Sequence, residues 1–109
     1  MEEVRIDVTK QTPEELAFAQ EHTRLIFKFN HTMPGTPEYE ELMHRIFPSM
    51  GEGSRVCIPL TAIRPHNVRI GKNVIVMSGC LMMSAGGITI EDGAMVAANV
   101  QLISNNHDL

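Results

Sequence analysis

Two cysteines are all the thiol this 109-residue chain contains. Cys57 and Cys80 form no CxxC pair and no zinc-ligand spacing, which sets aside a disulfide framework and a zinc ribbon. Two unpaired thiols are the expectation for a reducing compartment, so the sequence reads as cytoplasmic. Basic excess is missing too. The formal charge of -4 argues against the cationic face that nucleic-acid binding requires. No apolar run is long enough for a bilayer. The longest, Val74 to Met83, is broken by Ser78 and Gly79. The N-terminus reads MEEVRID, too acidic for the positive start of a secretory signal. No motif that activates a serine or cysteine nucleophile is visible.

What the chain does have is an internal repeat. Ile70–Ser84 reads IGKNVIVMSGCLMMS and Ile90–Ser104 reads IEDGAMVAANVQLIS. Aligned, Ile70 falls over Ile90, Val74 over Ala94, Val76 over Val96, Cys80 over Val100 and Met82 over Leu102. Repeats built from six-residue units read as coils of a parallel β-helix. From about Ser54 the inward candidates come in pairs two apart, as one face of a strand requires. They are Ser54/Val56, Leu60/Ala62, Val68/Ile70, Val74/Val76, Cys80/Met82, Ile88/Ile90, Ala94/Val96 and Val100/Leu102. Most steps between pairs are six residues. The steps from Leu60 to Val68 and from Cys80 to Ile88 are eight. Each coil therefore has three short strands and one corner longer by two, at 63–67, 83–87 and 103–107. About three coils result. A rung left open at Leu109 exposes unpaired backbone groups, so the expectation is a second chain over that end, or a polypeptide of which this is the front part.

The first half differs in kind. Met1 to Arg55 holds ten acidic and six basic residues, whereas the remainder is balanced. Thr12, Pro13 and Glu15 spell a capping box and start a helix over 12–30. Leu16, Ala19, Thr23, Ile26 and Phe27 would be its apolar face. Thr36 and Pro37 start a second helix over 37–47, with Tyr39, Leu42, Met43, Ile46 and Phe47 inward. Pro48 ends it. Their polar faces are acidic, which argues against membrane-surface helices. The organisation is thus a helical segment over 1–53 and a β segment over 54–109, mainly β in class.

These pieces resemble the hexapeptide-repeat acyltransferases, and in particular the N-terminal portion of maltose and galactoside O-acetyltransferases. The matching stretches are ELAFAQEHTRLIFKFNHTMP, ELMHRIFPSMGEGSRVCIP, NVRIGKNV, ITIEDGAMVAANVQLIS and NNH. The resemblance implies a left-handed winding, a homotrimer with active sites between subunits, acetyl-CoA as acyl donor and a small hydroxyl compound as acceptor. It also implies that later coils, beyond this chain, build most of the acyl-CoA groove. On that ground the 109 residues alone are expected to be inactive.

In that family a histidine ending the long corner is the general base, and His107 matches it. The chemistry suits the residue, because a neutral imidazole can take the proton of an alcohol as it attacks a thioester. In the coil register Asn67, Gly87 and His107 share one column. The family's sugar-holding polar positions fall here on Ile63, Ile75, Met77 and Ala85, with Met95 close in the repeat. All are apolar, so the sugar specificity is not carried over. Two other readings stand beside the acyltransferase. One is a truncated homologue that folds and assembles without catalysis. The other is a metal-dependent hydratase using His66, which the register disfavours because His66 lies one column and two rungs from His107. No catalytic metal is expected.

Overall fold

The computed structural model describes residues 12–104. Two helices come first. α1 spans Pro13–Asn30 and α2 spans Pro37–Ile46. Both start as the sequence dictates. The Thr12 hydroxyl accepts from the Glu15 amide at 3.1 Å, and the Glu15 carboxylate accepts from the Thr12 amide at 2.9 Å. Thr36 accepts from the Tyr39 amide at 3.2 Å. Each cap satisfies a first-turn N–H that has no partner within its helix.

α2 buries the face expected of it: Tyr39, Leu42, Met43, Ile46 and Phe47 are all in the core. α1 does not. Of Leu16, Ala19, Thr23, Ile26 and Phe27, only Ile26 is partly buried, and Phe27 is 66% exposed. The helix instead turns Leu25 and Phe29 inward, with His22 half-buried on the same side. At 100° per residue these lie roughly 120°, a third of a turn, from the expected face. Two apolar stripes compete for the interior, and the expected one spends two of its positions on alanine and threonine. Leu25 and Phe29, once buried, contribute roughly 1.5–3 kcal/mol each. Phe29 packs against Tyr39 with ring centroids 4.5 Å apart, joining the two helices.

The β segment is built from eight strands of two or three residues: β1 Arg55–Val56, β2 Thr61–Ile63, β3 Val68–Ile70, β4 Ile75–Val76, β5 Leu81–Met83, β6 Ile88–Ile90, β7 Met95–Val96 and β8 Gln101–Ile103. They stack in parallel on three faces, in the orders β1-β4-β7, β2-β5-β8 and β3-β6. Every pairing joins residues twenty apart, such as Val56 with Val76 and Val76 with Val96. An isolated parallel bridge from Met50 to Ile70 extends the third face. The inward pairs read from the sequence are the ones that fill the interior. Val56, Val68, Val74, Val76 and Met82 are wholly buried, and Leu60 and Cys80 nearly so.

Short strands need sharp corners. Several residues there take the left-handed conformation: Gly53, Asn73 and Gly93 in one column, Gly79 and Asn99 in another. Glycine and asparagine tolerate it best. Between rungs the backbone groups pair along the stack, as in Arg55 N–H to Val74 O at 2.8 Å and Gly71 N–H to Ile90 O at 2.8 Å.

The helices are fastened to the stack by side chains. Asn30, at the end of α1, donates to the Leu60 carbonyl and accepts from the Leu60 amide, both at 2.8 Å. The Tyr39 hydroxyl donates to the Val56 carbonyl at 2.6 Å. Burial pushes the Tyr39 phenol up to about 12, so it stays protonated and able to donate.

Candidate functional site

The long corners are where this fold departs from strict repetition. In the lower one the chain leaves β2 through Arg64, which adopts φ 55, and passes through a short 3₁₀ turn at Pro65–Asn67 into β3. One rung up, β5 leads through Ser84, Ala85, Gly86 and Gly87 into β6. The two corners are laced together. Ser84 N–H donates to Ile63 O at 3.1 Å, and the Asn67 side chain donates to Ser84 O at 3.2 Å. Gly86 N–H donates to Ser104 O at 2.7 Å, which carries the lacing upward. Gly87 has φ +88, and a Cβ there would meet only the Asn67 carbonyl, at 3.8 Å. Conformation, rather than crowding, requires glycine at this position.

These corners frame a cavity of about 400 Å³, lined by Ser49, His66, Asn67, Arg69, Ala85, Gly86 and Gly87. The lining is polar and carries no carboxylate. His66 stands at the seam with α1. Its ring lies 4.7 Å from Phe18 and 5.3 Å from His22, centroid to centroid. His22 Nδ1 donates to the Phe18 carbonyl at 3.0 Å. Burial above all, and then His22 and Arg64, hold the His66 imidazole below its ordinary pKa and hence neutral near pH 7. His66 Nδ1 is shielded from solvent without a hydrogen-bond partner, and so is the hydroxyl of Ser84.

His107 lies outside the described residues. The other five sequence-selected positions are placed, but not together. Ile75 and Met95 are register partners on the outer surface of the β1-β4-β7 face, and Met77 follows at the end of β4. All three are exposed, Met95 at 69%. Ile63 ends β2 on a different face, where Met83 and Ile103 stack above it. Ala85 belongs to the corner cavity. Within one chain the five therefore fall into an apolar strip, an isolated isoleucine and a cavity wall. Arg69 was not among the sequence-selected residues. Its signal was available: it is the polar residue between the buried Val68 and Ile70, so strand alternation places it outward. The joining of His66 to Phe18 and His22 had no sequence signal, because it depends on how α1 rotates. A larger open groove of about 760 Å³ runs along the outer side of α1, past Phe27, His31 and Met33. Among the described residues no three histidine, cysteine or acidic side chains gather as a metal site would, and no helix is long and apolar enough to cross a membrane.

The comparisons bear on this geometry. The Escherichia coli galactoside O-acetyltransferase is 30% identical over 84 residues, covering 76% of this chain and 41% of that protein. A Dictyostelium discoideum protein named as a putative acetyltransferase is 32% identical over 89 residues, covering 82% and 46%. One of the same designation from Staphylococcus aureus is 35% identical over 66 residues, covering 60% and 33%. The chain thus spans less than half the length of these curated relatives. A crystal structure of a hexapeptide-repeat-containing acetyltransferase from Vibrio cholerae superposes with a TM-score of 0.77 at 23% identity, covering 83% of this chain and 51% of that one. No family model matches the sequence.

Proposed function

This chain belongs to the hexapeptide-repeat acetyltransferases, whose shared portion it carries, and on that premise we propose that the protein moves an acetyl group from acetyl-CoA to a hydroxyl of a small acceptor, with His107 as general base. The observation that carries the proposal is the laced corner column. Asn67 and Gly87 occupy it on successive rungs, and twenty residues further along the sequence stands His107. The neutral imidazole would take the hydroxyl proton as the oxygen bonds to the thioester carbon. The tetrahedral adduct then collapses, the C–S bond breaks, and the imidazolium returns its proton to the departing thiolate. No serine or cysteine nucleophile is required.

Other parts of the reading come from the family. The stack would wind left-handed through about three coils, as a domain over 54–109 after a helical segment over 1–53. It would assemble as a trimer, with acceptor sites between neighbouring subunits. In such an assembly Ile63, Ile75, Met77, Ala85 and Met95, dispersed in a single chain, could converge. Ile75, Met77 and Met95 offer no hydrogen-bonding side chain. A sugar would lose about 1–3 kcal/mol for each buried hydroxyl left unpaired, so the acceptor presents an apolar surface there. Two unpaired thiols, Cys57 and the buried Cys80, suit the cytoplasm.

The test is transfer from acetyl-CoA to a panel of alcohols by the full natural polypeptide and its His107→Ala variant. Loss of the base should lower kcat and kcat/KM together by about 10²–10⁴-fold, with CoA binding nearly unchanged. Unchanged turnover would remove His107 from the mechanism. No turnover in the natural protein would favour the second reading, a stacked, oligomeric homologue without a complete donor site.

A further inference from the structure

The geometry points to a binding site for a small oxyanion, a carboxylate or a phosphate group, in the corner cavity beside the Arg69, Asn67 and Ser49 side chains. This goes beyond acyl transfer, because the site would hold such a group whether or not the protein is an enzyme.

Charge is the first argument. Arg69 lines the cavity and no acidic side chain does. Arg64 sits on the same corner, close enough to His66 to disfavour its protonation. Among the described residues, no carboxylate lies within ion-pair distance of Arg64 or Arg69; the ion pairs are all on the helices, at Arg24–Glu21, Lys28–Glu38 and Arg45–Glu21. A guanidinium presents a fork of donors matched to two oxygens of one group.

Access is the second. Gly86 and Gly87 put no side chain in front of Arg69, while their own N–H groups are spent on the Ser104 and Ser84 carbonyls, so the donors left for a ligand are side chains. Volume is the third. At about 400 Å³ the space falls within the range of small-molecule sites and exceeds what a few waters need. Unmet polarity is the fourth. Asn67 Nδ2 makes one bond, to the Ser84 carbonyl, and an amide nitrogen has two donors. The His66 imidazole has His22 across the seam on α1 and Arg64 on its own corner, and Arg69 lines the same cavity. A bound anion would offset the charge of the arginines, and a cation would meet it.

If the acyl-transfer reading holds, the anionic group belongs to the acceptor.

The experiment is a titration of the protein with sodium phosphate and, separately, sodium acetate. Sodium chloride at matched ionic strength is the reference. Backbone amide NMR shifts are followed at Asn67, Ala85, Gly86 and Gly87. At least one anion should give saturable shifts confined to these amides. Arg69→Gln is exposed and should fold normally, and it should weaken the binding at least tenfold. Arg24→Gln, on α1 and paired with Glu21, should leave it unchanged. Saturation by phosphate alone selects the phosphate group, and saturation by acetate alone selects the carboxylate. Shifts no larger than those with chloride, or equal in Arg69→Gln, would overturn the site. Transfer activity is a separate readout: its absence alongside saturable binding counts against the acyltransferase and leaves the anion site standing.

Discussion

Replacing Asn30 with alanine should destabilise the protein far more than its place at a helix end suggests. Asn30 makes two hydrogen bonds of 2.8 Å to one residue, Leu60, engaging both its amide and its carbonyl. Leu60 is 1% exposed. Alanine would strand a buried donor and a buried acceptor, each costing about 1–3 kcal/mol. Asn30 is itself only half-buried, so water can reach part of the gap and the lower half of that range applies. The expected loss is about 2–4 kcal/mol, or roughly 8–32 °C in Tm for a domain of this size. Urea unfolding followed by circular dichroism measures it. Asn30→Asp keeps the acceptor for the Leu60 amide but sets a carboxylate oxygen against the Leu60 carbonyl, so it should lose at least as much as alanine. Thr12→Ala, which removes an exposed cap, gives a reference near 1 kcal/mol. A loss below about 0.5 kcal/mol for Asn30→Ala would show that the clamp does not hold α1 to the stack.

Two further outcomes follow from features already described. Gly79→Ala should cost more than the roughly 1–2 kcal/mol of left-handed strain, because the Asn99 side chain occupies the space its Cβ would take; Asn99→Gly in the same molecule should recover the excess, as a double-mutant cycle in urea would read. The His66 imidazole should titrate below 6.5 by NMR. Its folded pKa is depressed, so the unfolded chain binds the proton more readily. Stability from this group is complete above about pH 6.5 and declines as pH falls through the folded value; a flat dependence across that window, or the same slope in His66→Asn, would contradict the packed seam.

The stack was legible because its pattern is redundant. Each inward pair from Ser54/Val56 to Val100/Leu102 repeats what its neighbour twenty residues away says, so no single ambiguous residue could shift the register. The rotation of α1 had no such support. Its two apolar stripes score alike by period, and the choice was made by Phe29 meeting Tyr39 from α2, a contact between elements. The site was legible where it depends on the repeat, as in the corner lengths. It was not legible where it depends on docking, as in Phe18 and His22 closing on His66. The dispersal of Ile63, Ile75 and Met77 over two faces is a consequence of the threefold winding, which a linear motif does not display.

The left-handed corners carry an evolutionary consequence. Asn73 lays its side chain over Gly53, and Asn99 does the same over Gly79. An asparagine on one rung thus forbids a side chain on the rung beneath it. Duplicating the coil that contains Asn73 would set one asparagine directly over another, where the lower Cβ collides with the upper amide. Solenoids of this kind therefore cannot lengthen by faithful copying at these corners. Each added coil must arrive with, or quickly acquire, the complementary small residue. Neighbouring coils then diverge as matched sets, and a coil moved from one protein to another carries its constraint with it.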